Sequence, residues 1–402
     1  MKVIAIADSD SYLKWAAAFL GTLPGVTERE LLLIETPVLP SDSQRAAALA
    51  VGGVPPEQLV SLPLNSVLGT LRHEQPDAVL VALRGPVAAV LIRMIAELPH
   101  RPVIVTGLPG ISIPATRKAL AFRRQADLFV LHSRREIREF TVMSREYGWT
   151  HRFALATLPF VEERTGAVGT DLVFAAQAVV PPVFDDRMRV LELLIAAARA
   201  DPARRVVVKV RGLAGERQTH DEQLSYPDLL GRAVDVPANL IVSSAPMSAA
   251  LDAAQGVMTV SSTAAIEAIA RGIPVIALDI FGVTGKLINT VFEGSGLFGG
   301  EGAVVRREFR HPEPAWLDDN YFHPVEEDDV AMQLEALVAA RRQGVLPARE
   351  PARKAGGRLR LAWDRKRAFG DADRTVSGAV ALAVGTPARA TLVAARKVKR
   401  AL

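Results

Sequence analysis

Short, unbroken apolar runs alternate with helix-period segments along most of this 402-residue chain, and that alternation constrains the fold more than any other feature. The runs Lys2–Ala7, Leu31–Glu35, Ala78–Leu83, Pro102–Thr106 and Leu128–Leu131 are continuously apolar rather than alternating. A strand buried on both faces of a parallel sheet requires that pattern. Helical periodicity falls between them at Ser11–Leu23, Pro86–Leu98 and Ser133–Tyr147. After Thr165 a second series begins, with strands Leu172–Ala176, Arg205–Val210, Leu240–Val242, Met258–Val260 and Pro274–Leu278. Its helices are Asp186–Ala200, Met247–Ala254 and Thr263–Arg271. The expected architecture is α/β: two doubly wound parallel-sheet domains facing a cleft, residues 1–165 and 170–345, followed by a basic extension, 346–402. The Gly-, Thr- and charge-rich segment Glu162–Thr170 reads as the linker.

Helix punctuation agrees with these bounds. Asp185 or Asp186 caps a helix that ends at Asp201-Pro202, where proline forbids continuation. Ser261 or Ser262 caps the helix that stops at Gly272, with Pro274 beyond. Trp363 and Phe369 are available to anchor the extension.

Composition removes several function classes. The absence of cysteine excludes disulfide scaffolds, thiolate zinc sites, iron–sulfur clusters and cysteine nucleophiles. Aromatic residues at 5% are too few for a base-stacking surface that binds single strands. The net charge of +4 conceals an asymmetry: residues 351–402 hold 13 Lys and Arg against three Asp, leaving the body acidic. The body thus carries no nucleic-acid footprint. No run is long and apolar enough to span a bilayer, and Val3–Ala7 is too short for a signal-peptide core. The expected location is cytoplasmic, with the basic tail a candidate tether to an anionic membrane face and a solvated extension the plainer alternative. Only nine of the 48 basic residues are lysine, which gives each lysine more weight than each arginine.

Ligands of open parallel sheets sit outside the carboxyl ends of the strands. The cluster Ser261-Ser262-Thr263 follows one such strand and places hydroxyls and free amide groups where an anion can be held; the same residues also serve as an ordinary cap. Glu267 lies one turn further along the same face, within reach of the sugar hydroxyls of a nucleotide. Lys209 and Arg211 close another strand and alternate to the same side, so that two cations meet one phosphate. His220, in the polar loop beyond, is a candidate proton donor to a leaving phosphate. After the first strand comes Asp8-Ser9-Asp10-Ser11, where one carboxylate caps the helix and the other accepts a proton from an acceptor hydroxyl. Gly107 and Gly110 in Gly107-Leu108-Pro109-Gly110 allow close approach of substrate to backbone. His132-Ser133 with Glu136 reads first as a capping box, with His132 a candidate beside the acceptor. No dinucleotide fingerprint, P-loop or metal-ligand spacing is present, so neither a resident cofactor nor a metal is expected.

The run Ser261-Ser262-Thr263-Ala264-Ala265-Ile266-Glu267-Ala268-Ile269-Ala270-Arg271-Gly272-Ile273-Pro274-Val275 resembles the donor-site helix of GT-B glycosyltransferases, especially capsule and sialic-acid-type transferases and CDP-glycerol polymerases. Ala126–Phe140 resembles the last strand–helix unit of their N-terminal domains. Through Asp8–Tyr12 and Gly107–Gly110 the chain is also similar to an uncharacterised group of actinobacterial glycosyltransferases. The resemblance spans roughly residues 1–345 and implies nucleotide phosphate at Ser261, Ser262 and Thr263, and ribose at Glu267. It departs from the sialic-acid-type pattern where a His-Pro pair is replaced by Lys209-Val210-Arg211-Gly212, which puts CMP in doubt as donor nucleotide.

These readings converge on metal-independent transfer of a sugar from a nucleotide-sugar co-substrate to a cell-envelope glycan or lipid-linked acceptor. Asp8 or Asp10 is the base, and Lys209, Arg211 and the serine-rich turn neutralise the leaving phosphate. Three alternatives stand beside it. Nucleotide-sugar epimerases share the architecture; Asp8-x-Asp10 resembles the magnesium-binding nucleophile motif of haloacid-dehalogenase phosphatases; a non-catalytic nucleotide-sugar-binding protein is the third.

Overall fold

The computed structural model describes residues 1–159, 169–210, 225–350 and 356–386. The first domain runs β1 (Lys2–Ala7), α1 (Asp10–Thr22), β2 (Glu28–Ile34), α2 (Asp42–Val51), β3 (Leu59–Leu62), α3 (Leu64–Glu74) and β4 (Ala78–Ala82). It continues with α4 (Gly85–Ala96), β5 (Val103–Gly107), α5 (Arg117–Phe122), β6 (Leu128–Leu131), α6 (Arg134–Glu146) and β7 (Phe153–Leu155). The second runs β8 (Asp171–Ala175), α7 (Phe184–Ala200), β9 (Val206–Lys209), α8 (Tyr226–Leu230), β10 (Leu240–Ser243), α9 (Met247–Asp252) and β11 (Ala254–Thr259). Then come α10 (Ala264–Ala270), β12 (Val275–Leu278), β13 (Phe298–Gly299), α11 (Glu301–Val305), α12 (Pro314–Asp319), α13 (Val330–Arg342) and α14 (Gly357–Phe369).

Both sheets are parallel. Their orders are β3-β2-β1-β4-β5-β6-β7 and β10-β9-β8-β11-β12-β13. In each, the chain builds outward one way, returns to the middle, and builds the other way. The reversal lies between β1 and β4 in the first sheet, and between β8 and β11 in the second. Loops diverge above such a point and leave a crevice.

The inner strands β1, β4, β5 and β6 are buried almost end to end, as their unbroken apolar runs require. The edge strands β3 and β7 escape sequence reading because they are four and three residues long and only partly buried. β11 begins four residues earlier than expected, at Ala254, because its start is irregular: the register with β8 shifts between Ala254 and Gly256, where a Cβ on Gly256 would strike the Phe309 ring.

The late part of the chain departs from a simple two-domain division. α13, expected in the second domain, packs on β5, β6 and β7 of the first. Asp329 accepts from the Leu155 amide at 2.8 Å and Asp328 accepts from the Thr157 amide at 2.8 Å, which fixes this return. α14, within the expected basic extension, packs against α4 and buries Phe369 among Ile4, Ile6, Val87 and Leu91. Trp363 is buried with Ala362 and Ala381. Most of the expected linker lies outside the described residues. No helix among the described residues is long and apolar enough to cross a membrane.

Candidate functional site

Above the first reversal, the loop after β1 meets the loop after β4. Asp8 has no exposed surface, and its carboxylate accepts from the Arg84 Nε at 2.8 Å and from the Arg84 amide at 3.2 Å. Burial raises the Asp8 pKa against the opposing pull of Arg84. Arg84 also donates to the Thr36 hydroxyl at 3.1 Å. Nearby lies a fully buried guanidinium, Arg123, which donates to the Tyr12 hydroxyl at 2.8 Å, the Leu83 carbonyl at 2.9 Å and Thr106 Oγ1 at 3.2 Å. Sequence reading passes over both arginines, since arginine is abundant here. The usable signal is positional, because Arg84 lies two residues beyond the strand that pairs with β1 at the reversal.

Of the two candidate bases, Asp8 is thus enclosed and ion-paired. A carboxylate held by a guanidinium and shut off from the crevice is poorly placed to take a proton from an acceptor, or to serve as half of a magnesium-binding aspartate pair. Asp10 is the first residue of α1 and is partly exposed.

His132 lies in the core with no exposed surface. Its Nε2 accepts from the Trp15 indole N–H at 2.8 Å, and its Nδ1 faces the Ala156 carbonyl at 2.8 Å. This pairing sets the neutral tautomer with the proton on Nδ1. Burial lowers its pKa. The expectation that His132 touches an acceptor does not fit this enclosure. Gly107 is likewise a packing glycine, because an added Cβ would come within 2.5 Å of the Trp15 ring. Ser133 does cap α6, accepting from the Glu136 amide at 3.1 Å. The Glu136 side chain turns back to the His132 amide at 2.8 Å and also receives the Tyr321 hydroxyl at 2.6 Å. That last bond ties the returning chain to the first domain.

Above the second reversal, Gln177 follows β8 and Ser261 follows β11. The Gln177 amide oxygen accepts from the Ser261 backbone at 3.0 Å, and its Nε2 donates to the Ser261 hydroxyl at 3.2 Å. Ser262 Oγ accepts from the Ala264 amide at 3.2 Å, an ordinary turn-closing bond. Thr263 is the residue before α10 and makes no side-chain cap within it; its Oγ1 instead accepts from the Ile111 amide of the first domain at 3.4 Å. All three hydroxyls therefore have protein partners. Lys209 ends β9, buried, and donates to the neighbouring Val210 carbonyl. Arg211 and His220 lie outside the described residues.

The two ends face each other. Lys14, one turn beyond Asp10 on α1, reaches Glu267, one turn beyond Thr263, at 3.1 Å. Gly110 sits so close to Thr263 that a Cβ would lie 2.6 Å from its hydroxyl. Lys14 and Gly110 of the first domain thus meet Glu267 and Thr263 of the second where the two sets of strand ends face each other.

A family model described as "Putative glycosyltransferase (DUF6716)" matches residues 3–337. The chain belongs to this family. The DUF6716 fold is also that of solved structures at low identity. A UDP-GlcNAc 2-epimerase from Methanocaldococcus jannaschii, in complex with UDP-GlcNAc and UDP, aligns at TM-score 0.55 and 10% identity over 86% of this chain and 100% of its own. A "putative UDP-N-acetylglucosamine 2-epimerase" from Listeria monocytogenes aligns at 0.54 and 11% over 87% and 99%. The spinosyn rhamnosyltransferase SpnG aligns at 0.45 and 14% over 91% and 100%. No functionally curated protein matches this DUF6716 chain. The architecture is GT-B: two Rossmann-like domains of seven and six parallel strands.

Proposed function

We propose that the crevice between the two domains transfers a sugar from a nucleotide-sugar donor to a hydroxyl acceptor without a metal ion. The observation that carries this reading is the apposition of Thr263 and Glu267 to Gly110 and Lys14, which sets the strand ends of one domain against those of the other. The donor lies over the second domain. Lys209, the cation at the end of β9, and the amides and hydroxyls of Ser261–Thr263 take the nucleotide phosphate, exchanging their present internal bonds for bonds to its oxygens. Glu267 takes the ribose hydroxyls. Arg211 and His220, candidates from sequence for the same phosphate, lie outside the described residues.

The acceptor enters over the first domain beside Gly110. Asp10 is the better placed of the two aspartates to accept its proton, and Asp8 acts through Arg84 to hold the β1 and β4 loops. General-base assistance of this kind contributes about 10²–10⁴-fold. A cell-envelope glycan or a lipid-linked sugar is the acceptor class. UDP, which accompanies the M. jannaschii epimerase of the same fold, is the first nucleotide to try.

The test is a thermal-shift screen with UDP, GDP, CMP and CDP compounds, followed by assay of transfer with the one that binds. A ligand that binds only the folded state raises the melting temperature. Lys209→Ala should abolish the shift and strongly reduce turnover. A flat response to every nucleotide, or full transfer by Lys209→Ala, defeats the reading; interconversion of the donor sugar without acceptor points to an epimerase instead.

A further inference from the structure

Residues 376–386 form a helix whose packing is inside out. Thr375 caps its start, accepting from the Gly378 amide at 3.1 Å. The face turned to the protein carries small residues. Ala381 is fully buried beside Trp363, and a Cβ on Gly385 would run into the Trp363 ring. The face turned outward carries the larger apolar ones: Val376, Val380 and Val384, at helical spacing, are 80%, 51% and 54% exposed, with Leu382 also open. A helix of a soluble body shows the opposite arrangement. Such a stripe is spent on something outside the chain.

The charge around it selects the partner. Arg374, just before the stripe, and Arg358 and Arg367, on the helix it packs against, are exposed and form no ion pair with a carboxylate among the described residues. The sequence beyond, 387–402, adds five Lys and Arg and no acid. The same stripe of a second copy, or the chain's own end, set on this stripe, brings cation against cation. An apolar stripe with exposed arginines just before it and on the neighbouring helix matches an anionic lipid surface, where the valines enter the headgroup boundary and the arginines meet phosphate.

We propose that the valine stripe of this terminal helix is a docking surface for an anionic bilayer. The inference stands whether or not the crevice transfers sugar. Because the chain has no cysteine, a single Val380→Cys substitution in the full-length protein carries an environment-sensitive fluorophore, with Ser43→Cys on α2 as a remote control. Phosphatidylcholine vesicles containing phosphatidylglycerol should blue-shift the probe at 380 and leave the one at 43 unchanged; pure phosphatidylcholine should do neither. Val376→Ser/Val380→Ser/Val384→Ser keeps every charge and should lower vesicle co-sedimentation about tenfold with an unchanged melting temperature. Three results overturn the proposal: no vesicle response, undiminished binding by the triple variant, or a dimer in light scattering that the triple variant abolishes.

Discussion

Lys14 and Glu267 meet at 3.1 Å across the crevice, although 253 residues separate them in sequence. Each stands one turn beyond the residue that begins its helix, so one contact orients both site-bearing turns. The pair is partly solvated, and losing it should cost no more than about 1 kcal/mol. Its larger effect is on ligand. Glu267→Gln should weaken the nucleotide-dependent rise in melting temperature, whereas Lys14→Met should leave it intact or enlarge it by freeing Glu267. Equal responses in the two variants and the wild type would show that Glu267 touches no ribose.

Arg84→Ala strands the Asp8 carboxylate in a buried site. Breaking a buried pair in this way costs about 3–5 kcal/mol. The folded-state pKa of Asp8 is already raised above 3.8, so the native state binds its proton more readily than the unfolded chain does. Asp8 thus subtracts stability as pH rises from about 4 through that raised value. Removing Arg84 widens the window, and urea titrations of Arg84→Ala should show the fall in stability above about pH 4 extending to higher pH than in the wild type. Asp8→Asn should restore much of the loss in the double variant. Additive losses would mean that the two residues act separately.

His132 has the reverse sign. Its pKa is lowered from 6.5, so the unfolded chain takes the proton more readily, and stability is lost as pH falls below about 6.5. His132→Phe should flatten that acid limb. It should also cost about 1–3 kcal/mol at neutral pH, because the Trp15 indole N–H loses its acceptor. An unchanged acid limb would place the titrating group elsewhere.

Gly107, the last residue of β5, and Gly110, in the loop after it, separate packing from site. Gly107→Ala drives a methyl into the Trp15 ring and should cost about 1–3 kcal/mol or more, measured by denaturation. Gly110→Ala puts a Cβ 2.6 Å from the Thr263 hydroxyl, so the contact between the domains must shift; it should cost less stability than Gly107→Ala and alter the response to nucleotide. A Gly110→Ala protein as unstable as Gly107→Ala would mean that the domain contact is rigid.

The periodicity of the chain by itself determined two parallel-sheet domains, because strands buried on both faces leave an unbroken apolar signature that local sequence cannot hide. It also marked the loops that border the crevice, since a polar turn after such a strand lies at the ligand edge wherever the strand sits. Strand order, however, is a property of pairing over long separations, and it alone put Asp8 beside Arg84 and Gln177 beside Ser261. Enclosure was decided the same way. Asp8, His132 and Gly107 read as site residues by position, yet burial beneath Arg84 and Trp15 turned them into supports. The destinations of α13 and α14 were equally hidden, because an apolar helical face names no partner until the tertiary structure offers the surface it covers.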